Sequence, residues 1–192
     1  MQKIILIISF CCFILSCQNS PKKNYYYLTP QLSSNNGTKS EIDQLIGIGP
    51  VEIADYLTRS QIIDNQTDNT LNMSENAYWA EPLDKSITRV IALNLTQANS
   101  SRSFVYFPWR SDSKPHYSMR IRIDNLSRSD NKAVINATWE LVDNNTKNNV
   151  LRRNFIRTTS VASGAKSLAQ AYSHLLAEFA SEIDVELNKL QP

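Results

Sequence analysis

The stretch of sequence that decides the fold is Tyr117-Ser118-Met119-Arg120-Ile121-Arg122-Ile123-Asp124. Apolar and charged side chains alternate along it, which is the period of a β-strand with one face in the core and the other in water. We therefore predict that Met119, Ile121 and Ile123 point inward and that the charged residues between them point outward. Strands with one solvated face are typical of antiparallel sheets.

The residues that follow extend this strand into a sheet. Apolar residues alternate again over 135–141, polar residues at 143–145 predict a turn, and a third strand is expected at 151–159. Strands that succeed one another through short turns pair in antiparallel fashion. We therefore predict a three-stranded meander.

A long helix is predicted after the meander, from about Ala165 to Leu190, because apolar residues recur there at helical spacing. Glu178, Glu182 and Glu186 follow one another at intervals of four residues on its polar side. Carboxylates in this arrangement are typical of a solvated helix face and only rarely form an acid–base pair. We therefore predict no catalytic residues on this helix.

Toward the N-terminus the sequence predicts one more helix and several short strands. The helix begins at Glu81-Pro82-Leu83, where a proline in the first turn is tolerated, and it ends in the polar residues 99–101. Strands are expected at 25–28, 45–51, 62–63, 70–73 and 104–107. Together these elements predict the α+β class: a single domain in which a mainly antiparallel or mixed β-sheet has two α-helices packed on one face.

The strand predicted at 45–51 alternates aliphatic residues with glycines. Glycine within a buried strand indicates that another part of the backbone approaches closely. Pro50 lacks a backbone N–H, so we expect it at a sheet edge or at the end of the strand.

The first sixteen residues are typical of a secretion signal. An apolar run from Ile4 to Leu15 follows Lys3, and its length of about 18 Å as a helix is too short for a hydrocarbon core about 30 Å thick. Ile14-Leu15-Ser16-Cys17 resembles the bacterial lipobox, with the small residue Ser16 before the cleavage point and the thiol of Cys17 ready to accept a diacylglycerol group. We expect signal-peptidase cleavage between Ser16 and Cys17.

The sequence therefore divides into a lipoprotein signal peptide at 1–16, a lipidated cysteine and flexible tether at 17–24, and a folded domain at 25–192. Cleavage frees the amine of Cys17 for a further acyl chain such as palmitate, which makes the anchor effectively permanent. Cys11 and Cys12 leave with the signal peptide, so no disulfide is expected. Because Gln18 rather than Asp follows the cysteine, we expect sorting to the periplasmic face of the outer membrane.

Composition argues against several functions. A net charge of +2 without any basic block gives no field for nucleic acid. The two histidines, His116 and His174, have no partners at metal-ligand spacing, and no nucleophile elbow or phosphate-binding glycine loop is present in the sequence. We predict no catalytic residues, no metal site and no cofactor, and hence not an enzyme.

An aromatic cluster at Phe104, Tyr106, Phe107 and Trp109 leaves two alternatives open. Aromatic side chains at strand spacing are usually part of the core. The same cluster could instead bind a lipid or a protein partner.

Three segments together carry a resemblance to a known family: Tyr26-Tyr27-Leu28, Ile48-Gly49-Pro50-Val51 leading to residues 56–63, and Trp79-Ala80-Glu81-Pro82-Leu83. They resemble the ABC-type transport auxiliary lipoprotein family. The resemblance implies a non-catalytic outer-membrane lipoprotein that docks or tethers an ABC lipid transport system through its MCE-domain protein. It also implies a role in membrane integrity and motivates the hypothesis that several copies form a ring.

Arg59, Gln61, Trp79 and Glu81 are our candidate partner contacts within the resembling segments. Three of them also have a structural interpretation: Trp79 buried beside the first helix, Glu81 as the cap of that helix, and Arg59 paired with a carboxylate. The alternative function is that of a periplasmic lipid-binding carrier, which would hold acyl chains in a cleft between the sheet and the helices.

Overall fold

The computed structural model describes residues 21–31, 44–67, 69–110, 112 and 114–189. The predicted signal peptide, the cleavage point between Ser16 and Cys17, and the first half of the tether lie outside the described residues. These predictions and the domain limits drawn from them are therefore not tested by the fold.

The described residues form eight strands and two α-helices, and they confirm the predicted α+β class. The strands are β1 (Asn24–Tyr26), β2 (Gln44–Ile53), β3 (Gln61–Thr67), β4 (Thr70–Trp79), β5 (Arg102–Tyr106), β6 (Tyr117–Ser129), β7 (Lys132–Asp143) and β8 (Asn149–Ser160). The α-helices are α1 (Leu83–Ala98) and α2 (Ala165–Asn188), and a short 3-10 helix, Asp55–Thr58, joins β2 to β3.

The larger sheet has the strand order β5-β2-β6-β7-β8. Strands β6, β7 and β8 pair in antiparallel fashion and form the predicted meander, in which Ile121 lies opposite Trp139. Met119, Ile121 and Ile123 are at most 2% exposed, as the alternating pattern predicts. Strand β2 joins this sheet between β5 and β6 and runs parallel to both.

The remaining strands form a second, three-stranded sheet with the order β1-β4-β3. Strands β3 and β4, which contain the strands predicted at 62–63 and 70–73, form an antiparallel hairpin, and β1 lies parallel to β4, with Tyr25 opposite Tyr78. The sequence suggests a single sheet as the simplest arrangement, whereas the structure has two. The second sheet was not expected because the pairing of β1 with β4 joins residues about fifty positions apart. Such a pairing leaves no local turn signal.

The glycines of β2 make room for side chains rather than for another backbone. A Cβ atom on Gly47 would lie 2.7 Å from the Trp109 ring, and one on Gly49 would lie 2.8 Å from Cβ of Phe107. Pro50 lies inside β2 and not at its end, which differs from our expectation. The proline is accommodated because pairing with β5 stops at Ile48 and the pairing with β6 is irregular between Ile48 and Val51.

Both helices pack on one face of the larger sheet and against each other. The predicted apolar stripes are confirmed, since Ile87, Ile91 and Leu95 of α1 are fully buried, as is Phe179 of α2. The Phe179 ring lies 4.7 Å from that of Phe155 on β8. Within the described part of the chain, neither helix is both long and apolar enough to cross a membrane.

Candidate functional site

A groove of about 550 Å³ lies between the first half of α1 and the adjoining ends of β2 and β5. We call it the aromatic groove. Its apolar lining comes from Ile48, Gly49, Pro50 and Val51 on one side and from Tyr106, Phe107 and Pro108 on the other. Its polar lining comes from Glu81, Asp84, Lys85, Thr88 and Arg89. The groove therefore joins an apolar surface to a set of charges of both signs.

The aromatic cluster that the sequence left open is divided by the structure. Phe104 is partly buried and packs against the core, whereas Tyr106 and Phe107 are each 49% exposed. Trp109 meets Phe107 edge to face, with ring centroids 5.3 Å apart. The core interpretation therefore holds for Phe104, while Tyr106 and Phe107 present aromatic surface to the solvent.

The backbone of β2 fixes the position of Phe107. The Phe107 N–H donates a hydrogen bond to the carbonyl oxygen of Ile48 over 2.9 Å, one residue beyond the last pair of β5 with β2. Gly49 has a φ of 117°, which favours glycine, and it leaves the space that Phe107 occupies. The Gly49–Pro50 and Phe107–Pro108 peptide bonds are both cis. Two Xaa-Pro steps from distant parts of the chain thus meet at the groove.

An ion pair between Arg89 and Glu81 forms part of the lining of the aromatic groove. The Arg89 guanidinium donates hydrogen bonds to the Glu81 carboxylate and to the carbonyl oxygen of Leu28, the latter over 3.2 Å. The hydrogen bond from Arg89 holds the pKa of Glu81 below its usual value. Glu81 does not cap α1, which differs from its structural interpretation, because Pro82 occupies the N-cap position and no side chain caps the helix there.

The ion pair predicts a small dependence of stability on pH. Because the pKa of Glu81 is lowered in the folded state, its contribution is present above the unfolded pKa near 4.5 and is lost as the pH falls through the folded pKa. We expect Glu81→Gln to lower the free energy of unfolding by up to about 1 kcal/mol at pH 7, since both side chains are about one-third exposed. Urea titrations at several pH values should show this difference shrinking below pH ~4. A difference that grows with acid would contradict it.

The other candidate contacts lie apart from the aromatic groove. Trp79 is buried, 8% exposed, and stacks on Tyr172 with ring centroids 6.3 Å apart, in agreement with its structural interpretation. Gln61 and Trp79 together line a small void of about 10 Å³. Arg59 is exposed, and none of the ion pairs among the described residues involves it, so its predicted pairing with a carboxylate stays a prediction. Only Glu81 of the four reaches the groove.

A second groove of about 490 Å³ lies on the outer face of the larger sheet and shares Pro50 and Phe107 with the first. Its other lining residues are Glu52, Arg120, Ile121, Arg122, Thr138, Trp139, Glu140 and Arg152. Arg120 pairs with Glu140 over 3.5 Å, and Arg122 pairs with Asp124 over 2.9 Å. Pro50 and Phe107 thus lie between the two grooves and line both of them.

The glutamates of α2 lie beside basic side chains, and their exposure falls from 42% at Glu178 to 17% at Glu186. Glu178 lies 3.4 Å from His174, Glu182 pairs with Arg157 over 3.2 Å, and Glu186 accepts a hydrogen bond from Lys189 over 2.8 Å. That hydrogen bond lowers the pKa of Glu186. Across the described ranges, no three metal-ligating side chains come together.

Sequence reasoning did not single out Pro50 or Arg89 as part of a site. The signal for Pro50 is present in the sequence, since Gly49-Pro50 and Phe107-Pro108 are both strong interruptions of a strand. Arg89 gives no such signal, because an arginine on the polar side of an amphipathic helix looks like any solvated residue.

Comparison with known proteins places the chain in a family. The family model described as "ABC-type transport auxiliary lipoprotein component" matches residues 26–184. The intermembrane transport lipoprotein PqiC of Escherichia coli (strain K12) is 22% identical over 174 residues, which cover 88% of each chain, and the protein of the same name from Shigella flexneri gives the same values.

Two crystal structures share the fold. One, of an uncharacterized protein, has a TM-score of 0.71 at 20% identity and covers 87% of this chain and 99% of its own. The other, of a protein from Xanthomonas campestris, has a TM-score of 0.66 at 16% identity and covers 84% of this chain and 92% of its own. At these identities the likeness concerns the fold alone.

Proposed function

Because the chain belongs to the family of ABC-type transport auxiliary lipoprotein components, we propose that it is the non-catalytic auxiliary component of an MCE-type ABC lipid transport system. A lipid on Cys17 anchors it to the periplasmic face of the outer membrane. There it docks the MCE-domain protein of the transporter and contributes to membrane integrity.

The observation that carries this proposal is the position of the family match. The match starts at residue 26 and ends at residue 184, so it takes in almost the whole body from β1 to α2. The lipobox cysteine stands only seven residues before Asn24, the first residue of β1. Seven residues reach at most about 25 Å, so the anchor would hold the body close to the bilayer.

The aromatic groove is our proposed contact with the partner protein. Protein interfaces are enriched in aromatic residues and arginine, and a few such residues carry most of the binding energy. Tyr106 and Phe107 offer exposed aromatic surface, and the Arg89 and Glu81 pair offers charge at the rim. Glu81 is thus the one sequence-derived candidate that this contact retains.

Co-purification of the full-length lipoprotein with the MCE-domain protein tests the proposal. We expect Phe107→Ser to weaken the complex more than tenfold, since truncating a hot-spot residue costs about 2 kcal/mol or more. The matched control is Ile156→Ser, which removes an apolar side chain that is 58% exposed on β8, away from the groove. Equal retention of the partner by both variants would contradict the groove assignment, and no retention by the wild type would contradict the partner.

Native mass spectrometry of the gently extracted protein separates this function from the alternative. The size of the groove lies within the range of small-molecule sites, which is the observation that favours a lipid carrier. Stoichiometric lipid without a partner protein would support the carrier, whereas partner protein without stoichiometric lipid supports the docking function. The same spectra count the copies in the proposed ring, and a monomer alone would refute the ring.

A further inference from the structure

Strand β1 and the residue that follows it present two tyrosines to the solvent close to the tether. Tyr25 and Tyr27 are each 61% exposed, and the Tyr25 ring lies 5.8 Å from that of Tyr78 on the neighbouring strand β4. The Lys23 ammonium lies 5.3 Å from the centre of the Tyr78 ring, and Lys22 is exposed beside it. We call Lys22, Lys23, Tyr25, Tyr27 and Tyr78 the tyrosine patch.

The core does not need the exposed rings of the tyrosine patch. Side chains alternate along this segment, so Tyr26 packs against the core and Leu28 is fully buried, while Tyr25 and Tyr27 point the other way. Single exposed aromatic residues are common at protein surfaces, but a contiguous group of them marks an interaction site. We therefore expect the tyrosine patch to contact another molecule and not a part of this domain.

The position of the patch limits what that occupant can be. Tyr25 follows Cys17 by eight residues, which span at most about 29 Å when extended. A lipid on Cys17 would thus hold the patch near the headgroups at all times, and binding to them becomes an intramolecular event for which weak affinity suffices. A freely diffusing partner has no such advantage.

The chemistry of the patch matches the membrane–water interface. Tyrosine is enriched at that interface because its ring is apolar and its hydroxyl is polar. Lysine is attracted to anionic headgroups, and its charge can stay in water while its methylenes cover apolar surface. Tyr25, Tyr78 and Lys23, which lie against one another, combine both properties.

We propose that the tyrosine patch rests on the lipid headgroups of the membrane that holds Cys17, so that the lipid and the patch together fix the orientation of the body. This inference rests on the proposed lipid anchor. It adds a second attachment, made by side chains, to the covalent one. The smaller sheet then faces the bilayer through β1 and β4.

A single spin label can test this contact in the full-length lipoprotein. Once Cys17 carries lipid, the mature chain has no free thiol, so an introduced cysteine is labelled uniquely. Thr29→Cys places a nitroxide on an exposed side chain two residues after Tyr27, and Val185→Cys, 52% exposed on α2, is the control. The protein is reconstituted into vesicles of phosphatidylethanolamine and phosphatidylglycerol, and collisions with oxygen and with a water-soluble nickel chelate are compared.

The nitroxide at position 29 is expected to lose most of its collisions with the nickel chelate on vesicles, while the one at position 185 keeps them. Adding Tyr25→Ser and Tyr27→Ser should restore the collisions at position 29 although the protein stays on the vesicles through its lipid. Tyr25→Trp with Tyr27→Trp should keep the contact, since tryptophan shares the preference for the interface. Circular dichroism confirms that each variant is folded.

Three results would overturn the inference. Equal chelate accessibility at both positions in the wild type would mean that the body hangs freely from its lipid. Protection at position 29 that requires the MCE-domain protein would make the patch a protein contact. A wild-type chain that does not float with the vesicles would refute the anchor itself, and this result is recognisable because it precedes any measurement on the label.

Discussion

A Cys17→Ser chain exported behind an ordinary cleavable secretion signal is expected to move completely from the membrane fraction to the soluble periplasmic fraction. The thiol of Cys17 is the proposed attachment point, and a hydroxyl does not take its place in the thioether. Each buried methylene contributes about 0.8 kcal/mol, so several acyl chains together contribute tens of kcal/mol to membrane attachment. Among the described residues, no helix is long and apolar enough to cross a membrane in place of the lipid.

The remaining attractions are too weak to keep the variant on the membrane. The only charged side chain of the signal peptide is that of Lys3, so its removal leaves 19 basic and 18 acidic residues. The net charge of the mature chain therefore contributes almost nothing to membrane binding. The tyrosine patch contributes only near the bilayer surface, and without the anchor it loses the benefit of a tethered ligand.

Fractionation and intact mass measurement check this prediction together. The native chain should carry the mass of its lipids on Cys17. The matched control is Cys11→Ser behind the native signal, because it removes a thiol from the discarded segment and should leave attachment unchanged. Membrane retention of the Cys17→Ser chain, or an unmodified Cys17 in the native one, would contradict the anchor and the function proposed from it.

The meander and the two helices could be predicted because the order of apolar and polar residues along them follows the burial of each side chain. From Met119 to Asp124 of β6 the side chains alternate between core and solvent, so that Met119 and Ile121 are buried while Arg120 is exposed. Along α1 the buried residues Ile87 and Ile91 recur at the helical period.

The pairing of strands could not be predicted in the same way. Strand β2 lies between β5 and β6, and β1 lies beside β4, and in each case the pairing is parallel between segments that no short turn connects. Pairing of this kind is decided by the packing of the whole domain. Pro50 is an example, because it can lie inside β2 only where the hydrogen-bonded pairing with β5 and β6 is interrupted.

The site was predictable only in part. The resembling segments drew attention to Glu81, which lines the aromatic groove, but also to Trp79, which is buried in the core. Tyr106 and Phe107 have the composition of core residues, and their exposure follows from the place where β5 ends. A sequence pattern shows that a residue is apolar, but it does not show whether the strand ends there and leaves the side chain exposed.

Arg102 is the clearest case of a residue that sequence patterns overlook. It follows the polar end of α1 and looks like a surface residue, yet its side chain is fully buried. It donates hydrogen bonds to Asp184 over 2.6 Å and to Asn188 over 2.8 Å, and so it ties the start of β5 to the end of α2. A charge in such a place needs its partner, since desolvation is costly.

We expect Asp184→Ala to lower the free energy of unfolding by about 3–5 kcal/mol, because the guanidinium stays buried without a counter-charge. This is a large share of a typical total of about 5–15 kcal/mol. The matched control is Glu182→Ala, two residues away on α2, which breaks an exposed pair with Arg157 and should cost less than about 1 kcal/mol. Denaturant titrations followed by circular dichroism give both values.

Removal of the arginine should cost less than removal of the aspartate. In Arg102→Met the remaining carboxylate of Asp184 is 17% exposed and can be hydrated, whereas in Asp184→Ala the remaining guanidinium has no access to water. The double variant Arg102→Met with Asp184→Leu should therefore be more stable than Asp184→Ala alone, since apolar replacement of a buried pair is often neutral. If the double variant is less stable than Asp184→Ala, or if Asp184→Ala and Glu182→Ala cost the same, burial of the Arg102 charge does not control this junction.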